Sequence, residues 1–422
     1  MDILVVGGGG REHAIIKKLK ESPEAGRIYA APGNGGISAD AVCVGIKATD
    51  IEGMVAFAKE KKIDFVVVAP DDPLVLGMVD ALNAVGIPAF GPTGAAAAIE
   101  GSKVFSKSLM KKYRIPTASY ETFDDPAQAV AYLKAQNKYP TVIKADGLAL
   151  GKGVVIPENE ADAVAAIHSM MEEGQFGESG RRVVIEEFLQ GIEVSVLTFT
   201  DGKTVMPMVS SMDHKRAHDN DEGLNTGGMG TIAPHPMFTA EMQARCMKEI
   251  FLPTIEAMKQ ENREFRGCLY FGLMLCADGP KVIEYNCRFG DPETQVVLPL
   301  LDGDLLEIMQ AVAAGRLSEV KIGTKPGAAA CVIIASGGYP VSYQKGFEIH
   351  GLDAEGQAPG VTVYHAGTML ADGVSRNNGG RVLGVTAVGK SLRDALSAAY
   401  QAVEQIGFEG SFYRRDIGQK VL

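Results

Sequence analysis

The chain has 422 residues, 46% of them apolar and 22% charged, with a formal net charge of −11. At about 100 to 200 residues per domain that length calls for two to four units rather than one core, and no uninterrupted apolar run reaches the roughly 18 residues that cross a bilayer. The acidic balance argues against bulk nucleic-acid binding, which needs a basic patch or stripe, so any anionic ligand has to be held locally. The first residues enter a strand with no basic, apolar leader, and a cytoplasmic protein with neither nucleic acid nor membrane as partner is expected. Six cysteines (Cys43, Cys246, Cys268, Cys276, Cys287, Cys331) form no CxxC pair, and seven histidines form no HxH or HExxH, which predicts buried free thiols rather than disulfides or zinc.

Residues 1–100 alternate strand and helix. "DILVVGGGG" is a strand running into a glycine turn, and a helix starts at about Arg11. "RIYAAPGN" is the next strand; Ile51, Met54, Val55 and Ala58 then fall at helical spacing before "IDFVVVAP", a further helix and "IPAFGP". This predicts a parallel α/β domain. In "VVGGGGREHA" the glycines separate strand from helix, where free backbone N–H groups and the positive helix end receive anions. Two features argue against a dinucleotide site. Glu12 or His13 stands where GxGxxG needs its third glycine, and "YAAPGN" offers no acidic residue to a ribose. A single phosphate on Gly9, Gly10 and Arg11 fits better, beside the alternative of a tight turn with no ligand.

The helix "GSKVFSKSLMKKY" leads to Pro116 and a smaller α+β unit: "PTVIKADG", a glycine-rich turn, "GVVIP", a helix with Val164, Ile167 and Met171 inward, and "RRVVIEEFL". In "VIKADGLALGKGVVI" a strand lysine, Lys144, precedes a loop with Gly147, Gly151 and Gly153. Such a loop folds over polyphosphate with backbone donors while the lysine supplies a point charge. It is not a Walker A loop, because Gly153 follows Lys152 where Ser or Thr is required; a purely structural turn is the other reading. "VVIEEFLQGIEVSV" then offers Glu186, Glu187, Phe188, Leu189 and Glu193. A purine suits an apolar slot and a ribose diol suits a carboxylate, although a solvated strand edge explains the segment in isolation.

Residues 191–325 read as mostly antiparallel strands with a long helix from about Ala240 to Asn262 and another from Leu305 to Ala314. In "VIEYNCRFGDPETQ" the two-residue period puts Glu284, Asn286 and Arg288 on one strand face and Ile283, Tyr285, Cys287 and Phe289 on the other. Glu284 and Asn286 offer oxygens to a hard cation such as Mg²⁺, and Arg288 offers a forked donor to a carboxylate; a structural ion pair is the alternative. After "GTKPGAAA", residues 326–422 give strands "CVIIAS" and "VTVYHAG" and a helix, "SLRDALSAAYQAVEQI", with Leu392, Ala395 and Ala399 on one stripe. No internal repeat or low-complexity linker separates these units, so they should pack together.

The lysine before a glycine loop, the Glu-Glu-Phe-Leu hinge and the Glu-x-Asn strand stand in the order of ATP-grasp ligases, which the chain resembles. "GGGGREHA", "APGN", "VIKADGLALGKGV", "DHKRAHDNDEGLNTGGMG", "NCRFGDPETQ" and "FYRRDIG" resemble, more closely, the glycinamide ribonucleotide synthetase family along essentially the whole chain. The resemblance implies an α/β and α+β multidomain fold: an N-terminal parallel α/β domain (1–100), an ATP-grasp core in two parts (101–190, with a mobile lid at about 120–190, and 191–325) and a small β-rich C-terminal domain (326–422). It implies that ATP, with Mg²⁺ or Mn²⁺, activates glycine as an acyl phosphate that the amine of 5-phosphoribosylamine attacks, in purine biosynthesis. Lys103 and Lys144 then contact phosphates, Gly147, Gly151, Lys152 and Gly153 form the lid loop, Glu186, Glu187, Phe188 and Leu189 line adenine, and Glu193 meets ribose.

Glu284 and Asn286 hold the metal on this reading, and Lys144, Arg288 and Asp291 carry the chemistry. Gly9, Gly10, Arg11, Glu12 and Asn34 take the phosphoribosylamine, and the loop with Asp213, Lys215, Arg216, Thr226, Gly227, Gly228 and Met229 closes over substrate. A monomer or weak homodimer is expected. The sequence departs from the family pattern at Ala69, Asp71 and Leu224, where Gly, Glu and Pro are expected; the shorter Asp71 puts a direct ligand contact there in doubt. The competing readings are an ATP-grasp ligase for another carboxylate, of carboxylase or formate-ligase type, and a catalytically silent nucleotide-binding protein.

Overall fold

The computed structural model describes residues 1–148, 153–173 and 177–422. The chain opens with β1 (Ile3–Gly7), α1 (Gly10–Leu19), β2 (Ile28–Pro32), β3 (Val42–Cys43), α2 (Ile51–Glu60), β4 (Phe65–Val68), α3 (Asp71–Val75), α4 (Met78–Ala84) and β5 (Ala89–Phe90). These strands run parallel in the order β3-β2-β1-β4-β5. β1 and β4 are covered on both faces, which is why they read as unbroken aliphatic runs rather than alternations. The strand order reverses between β1 and β4, and the glycine turn after β1 opens at that crevice, where open α/β sheets bind ligands. The single helix expected after β4 is two, because Gly77 at φ +86° breaks the helical run.

α5 (Gly94–Gly101) and α6 (Lys103–Tyr113) are divided at Ser102, whose hydroxyl caps α6 by accepting the Phe105 N–H at 3.1 Å. β6 (Tyr120–Phe123), α7 (Pro126–Gln136), β7 (Thr141–Ala145), β8 (Val154–Val155), α8 (Glu160–Met171) and β9 (Val183–Glu187) follow. They build an antiparallel sheet, β6-β9-β7-β8, whose core is its own: Ala129, Leu133, Ile143, Ile167, Met170 and Ile185 cluster apart from the rest of the molecule. The buried stripe of α8 is Ala163, Ala166, Ile167 and Met170; Val164 and Met171, expected inward, are only half-buried at its margins.

The centre contains β10 (Ile192–Thr200), β11 (Val205–Pro207), β12 (Met212–Asp213), β13 (Arg216–His218), β14 (Glu222–Asn225), β15 (Gly230–Ala233), α9 (Ala240–Cys246), α10 (Leu252–Gln260), β16 (Gly267–Cys276) and β17 (Gly279–Asn286). β11-β10-β16-β17 form an antiparallel sheet. The long helix expected here is continuous in path but passes through a π turn at Met247–Phe251. Pro253 explains it: proline has no N–H and crowds the carbonyl four residues back, and a wider turn relieves both. The chain ends with α11 (Thr294–Val297), β18 (Leu301–Asp302), α12 (Leu305–Ala314), β19 (Gly323–Thr324), β20 (Ala328–Ala335), β21 (Thr362–His365), β22 (Thr368–Ala371), β23 (Val374–Asn377), β24 (Arg381–Gly389) and α13 (Leu392–Val403).

β12-β15-β20-β24-β21 form a third large sheet, so the segment around 212–233 is shared with the C-terminal strands. α13 covers it with Ala395, Leu396, Ala399 and Val403, while Leu392 is half-buried.

Two core clusters run from the first sheet into the central one. Leu4, Val6 and Leu74 pack with Val194, Phe271 and Tyr285; Ile3, Val5 and Ile15 pack with Leu197, Phe199, Val297 and Leu305. This continuity fixes the glycine turn against residues 286–295. Cys246, Cys268, Cys287 and Cys331 are buried free thiols as expected, but Cys43 is exposed, because β3 is the edge strand of its sheet, and Cys276 is intermediate. Among the described residues no helix is long and apolar enough to cross a membrane.

Candidate active site

β17 carries the alternation read from sequence, with one shift of phase. Tyr285, Cys287 and Phe289 are buried, and Glu284, Asn286 and Arg288 are intermediate on the opposite side. Ile283 is not core. The pairing with β16 slips between Gly272 and Leu273, so Ile283 is the extra residue of a bulge and Val282 takes the buried place. The bulge turns the Ile283 carbonyl toward the lysine of β7, and Lys144 Nζ donates to it at 3.0 Å.

Behind this face lies Glu100, 8% exposed at the end of α5. It accepts from Asn286 Nδ2 at 2.9 Å, Arg288 Nη2 at 3.0 Å and the Cys287 N–H at 2.7 Å. Three donors on one carboxylate fix the rotamers of the Asn and Arg and aim Asn286 Oδ1 away from Glu100. Arg288 Nη2 also lies 3.9 Å from Asp71, while its Nε is buried with no acceptor. Glu100 was missed in the sequence; a lone carboxylate in the small-residue helix "GAAAAIEG" is the signal, since a buried acid needs committed donors.

Glu284 is 34% exposed in its side chain, and its nearest cation is Lys215 Nζ at 3.8 Å. Burial pushes its carboxyl up, but Lys215, Lys144 and Lys103 together hold it below its ordinary value, so it is ionised near neutrality. Lys103 Nζ donates to Gly147 O at 2.8 Å, reaching from α6 to the start of the glycine loop. Asp146 seals the same junction, accepting from Ser102 Oγ at 3.0 Å, the Val104 N–H at 3.1 Å and Arg182 at 2.6 Å. Gly151 and Lys152 lie outside the described residues; Gly153, beside β8, accepts the Ala145 N–H through its carbonyl at 2.8 Å.

Glu186 differs from expectation. It is 4% exposed, and its carboxylate is spent on Lys144 at 3.0 Å and Lys107 at 2.9 Å. It therefore anchors the lysines, while its buried Oε1 accepts no hydrogen bond. Lys107, missed in the sequence, also donates to Thr117 at 2.8 Å, and burial lowers it to about 8 against the pull of Glu186. Glu187 accepts the Ser119 N–H at 3.0 Å, Phe188 is exposed, Leu189 is intermediate, and Glu193 pairs with Lys215 at 3.2 Å.

At the glycine turn, Glu12 caps its own helix: it accepts the Gly9 N–H at 2.6 Å and Arg11 Nε at 2.6 Å. Arg11 Nη1 donates to Phe289 O at 3.1 Å, and the Arg11 N–H reaches Asp291 at 3.4 Å. Asn34 has no free polar valence. Its Nδ2 donates to Gly8 O and His365 O, and its Oδ1 accepts from Gly36 and Ile37 N–H. Its side chain therefore holds the turn instead of offering a substrate contact. Asp291 sits where three units meet, accepting from Gln295 at 2.8 Å and lying 3.6 Å from Arg381 Nη2. Burial raises its carboxyl, but Arg381 and Arg11 overcome this and keep it low.

Arg381, at the start of β24, also donates to Gly227 O and Asp291 O at 2.8 Å and so clasps the loop that carries Gly227. Sequence reasoning missed it because its partners are 90 and 154 residues away. Within the loop, Thr226 Oγ1 donates to Lys215 O at 2.8 Å. Two expected members turn away: Met229 is fully buried in the core, and Arg216 donates to Gly223 O at 2.7 Å across its own hairpin. The "FYRRDIG" motif is a clamp on this hairpin, with Arg414, 1% exposed, paired to Asp416 at 2.7 Å and Asp221 at 2.9 Å.

The donor set fits a divalent cation of the magnesium kind. Glu284 and Asn286 Oδ1 provide two oxygens on one strand face, and Mg²⁺ takes one or two protein oxygens with phosphates and water completing its octahedron. Among the described residues there is no cluster of three or more His, Cys, Asp or Glu to form an all-protein cage.

A lysine-lined cleft between two antiparallel sheets, one separately cored and the other continuous with a parallel α/β domain, is the architecture of the ATP-grasp enzymes. Family models match along the chain: Phosphoribosylglycinamide synthetase, N domain, over residues 1–100, its ATP-grasp (A) domain over 101–294, and its C domain over 329–420. The chain belongs to the phosphoribosylglycinamide synthetase family. It is 48% identical over 417 residues to a phosphoribosylamine–glycine ligase of Caldanaerobacter subterraneus, covering 99% of each chain. The crystal structure of a phosphoribosylamine–glycine ligase from Thermotoga maritima matches with a TM-score of 0.83 at 32% identity, over 99% of this chain and all of that one. A biotin carboxylase from Campylobacter jejuni shares the fold, with a TM-score of 0.75 at 16% identity, over 98% of this chain and 92% of that one.

Proposed function

We propose that the protein joins glycine to 5-phosphoribosylamine at the expense of ATP, giving glycinamide ribonucleotide, ADP and phosphate by way of glycyl phosphate. The observation that carries this reading is the junction of two half-sites: Phe289 O accepts from both Arg288 Nη1 at 3.3 Å, on the strand of Glu284, and Arg11 Nη1 at 3.1 Å, at the seam where Asp291 meets Arg11 and Arg381. Phosphate activation and amine attack need such adjacency.

Glycine's carboxylate is a poor electrophile until one oxygen is phosphorylated. That step needs positioning and neutralisation of charge around the γ-phosphoryl group. Lys103 and Lys144 supply the positive charge, with Glu186, itself paired to Lys107, holding Lys144 in place. The separately cored unit acts as a mobile lid over the phosphates, with Lys103 reaching its edge at Gly147. Phe188 and Leu189 flank the adenine, and Glu193 meets the ribose. Glu284 and Asn286 would hold Mg²⁺ or Mn²⁺, which adds positive charge at the phosphates when bound.

Arg288, whose Nε lacks an acceptor, receives the glycine carboxylate. The phosphate of phosphoribosylamine is assigned to the turn at Gly9–Glu12, with Arg11 as its cation. The amine nitrogen then attacks the acyl carbon, phosphate leaves with the former carboxylate oxygen, and Asp291 is the carboxylate beside the attacking nitrogen. The reading takes the protein as cytoplasmic, a monomer or weak homodimer, acting on small molecules alone.

The test is ADP formation in a purified preparation supplied with Mg²⁺-ATP. It should require glycine and freshly generated phosphoribosylamine together; ADP release indifferent to either one refutes the assignment.

A further inference from the structure

Among the described residues, Glu293 and Asp213 are carboxyl side chains near Arg288 and Lys215 with no cation within 4 Å. Glu293, immediately before α11, is 4% exposed. Its Oε1 is met by the Ser195 hydroxyl at 3.4 Å, and that hydroxyl lies 2.8 Å from the Tyr270 hydroxyl. Asp213, at the end of β12, accepts the His214 N–H at 2.7 Å and the Thr231 hydroxyl at 3.4 Å. The cations of the neighbourhood are committed elsewhere: Lys215 to Glu193 and Glu284, Arg288 to Glu100 and Asp71, Arg381 to Asp291. Among the described residues, neither Glu293 nor Asp213 forms an ion pair within 4 Å. A buried carboxylate without a counter-ion is costly and is relieved by any cation that fits.

Opposite this deficit stands a surplus, the buried Arg288 Nε–H with no acceptor. An acceptor lacking a cation and a donor lacking an acceptor in one cleft are complementary to a zwitterion. We propose that Glu293 and Asp213, neither needed for nucleotide binding, form the receptor for the ammonium group of the amino-acid substrate, while Arg288 holds its carboxylate end.

This rests on the ligase reading given above and adds how the site recognises an α-amino acid. Gly228 positions the receptor: at φ +118°, a Cβ there would stand 2.6 Å from Asp213 Oδ1 and 2.5 Å from Pro292, so the loop backbone lies directly on the carboxylate. Burial and the Glu293 charge push the Asp213 carboxyl up, and burial together with Asp291 does the same to Glu293, the strain that an arriving ammonium removes.

The experiment compares glycine with glycolate, in which a hydroxyl replaces the ammonium, as acceptors of the γ-phosphoryl group in the presence of saturating, freshly generated phosphoribosylamine, with ADP release as the readout. The wild-type enzyme prefers glycine by at least about 1,000-fold in kcat/KM. Glu293→Gln keeps the shape and removes the charge; it raises KM for glycine about 100-fold, leaves KM for ATP unchanged, and reduces the glycine-to-glycolate preference by a similar factor. An active, folded Glu293→Gln enzyme with glycine KM and preference unchanged overturns the receptor while the ligase reading stands. A wild-type enzyme inert toward glycine overturns both. If Glu293→Gln fails to fold by circular dichroism, Asp213→Asn carries the same comparison, and an unchanged preference there is equally decisive against the receptor.

Discussion

His365 makes the stability of this fold depend on pH in a calculable way. It is fully buried, with Nε2 donating to Gly356 O at 2.8 Å, Nδ1 beside Thr368 Oγ1 at 3.1 Å, and its backbone N–H donating to His13 Nδ1 at 2.8 Å. It thus ties the C-terminal sheet to α1. Burial lowers its pKa from 6.5 to about 4. A histidine lowered in the folded state contributes fully above pH 6.5, and that contribution is lost as pH falls toward 4, because the unfolded chain takes up the proton first. The whole difference is about 3.4 kcal/mol, of which about 2 kcal/mol is already lost at pH 5.

Asp213 and Glu293, with raised carboxyls, act in the opposite sense, so the wild-type curve alone mixes the two. The difference between wild type and His365→Gln isolates the histidine. Urea unfolding at pH 7.5 and pH 5.0 should show the destabilisation caused by His365→Gln shrinking by about 2 kcal/mol at the lower pH. An equal destabilisation at both pH values refutes a buried neutral histidine.

Glu284→Ala should lower turnover by at least about 100-fold while shifting the melting temperature little, because on the metal assignment it removes a partly exposed ligand oxygen rather than packed core; near-normal activity at limiting Mg²⁺ contradicts that assignment. Arg414→Ala should destabilise by about 2 to 3 kcal/mol in denaturant unfolding, since it leaves the largely buried Asp416 without its cation, while the more exposed Asp221 keeps Lys420. A change under about 1 kcal/mol would mean that the C-terminal clamp carries no such load.

What was legible in the sequence was local. The period of two in "VIEYNCRFG" placed Glu284, Asn286 and Arg288 on one face, and the alternation of strand and helix over residues 1–100 pointed to the parallel sheet. The bulge at Ile283 was not legible, because a one-residue slip depends on the partner strand. Pro253 marked a break in the long helix that its apolar spacing concealed. Glu100, Lys107, Arg381 and Glu293 escaped because each acquires its role from residues distant in the chain. Asn34 and Glu12 were expected to meet substrate at the glycine turn, yet their hydrogen bonds are used to build that turn.

The central claim is that glycine's carboxylate is phosphorylated before the amine attacks. Glycine labelled with ¹⁸O in its carboxylate, turned over with ATP and phosphoribosylamine and analysed by mass spectrometry of the released phosphate, tests it directly. One labelled oxygen in each phosphate formed is the predicted result; phosphate free of label, accompanied by full product formation, would contradict it.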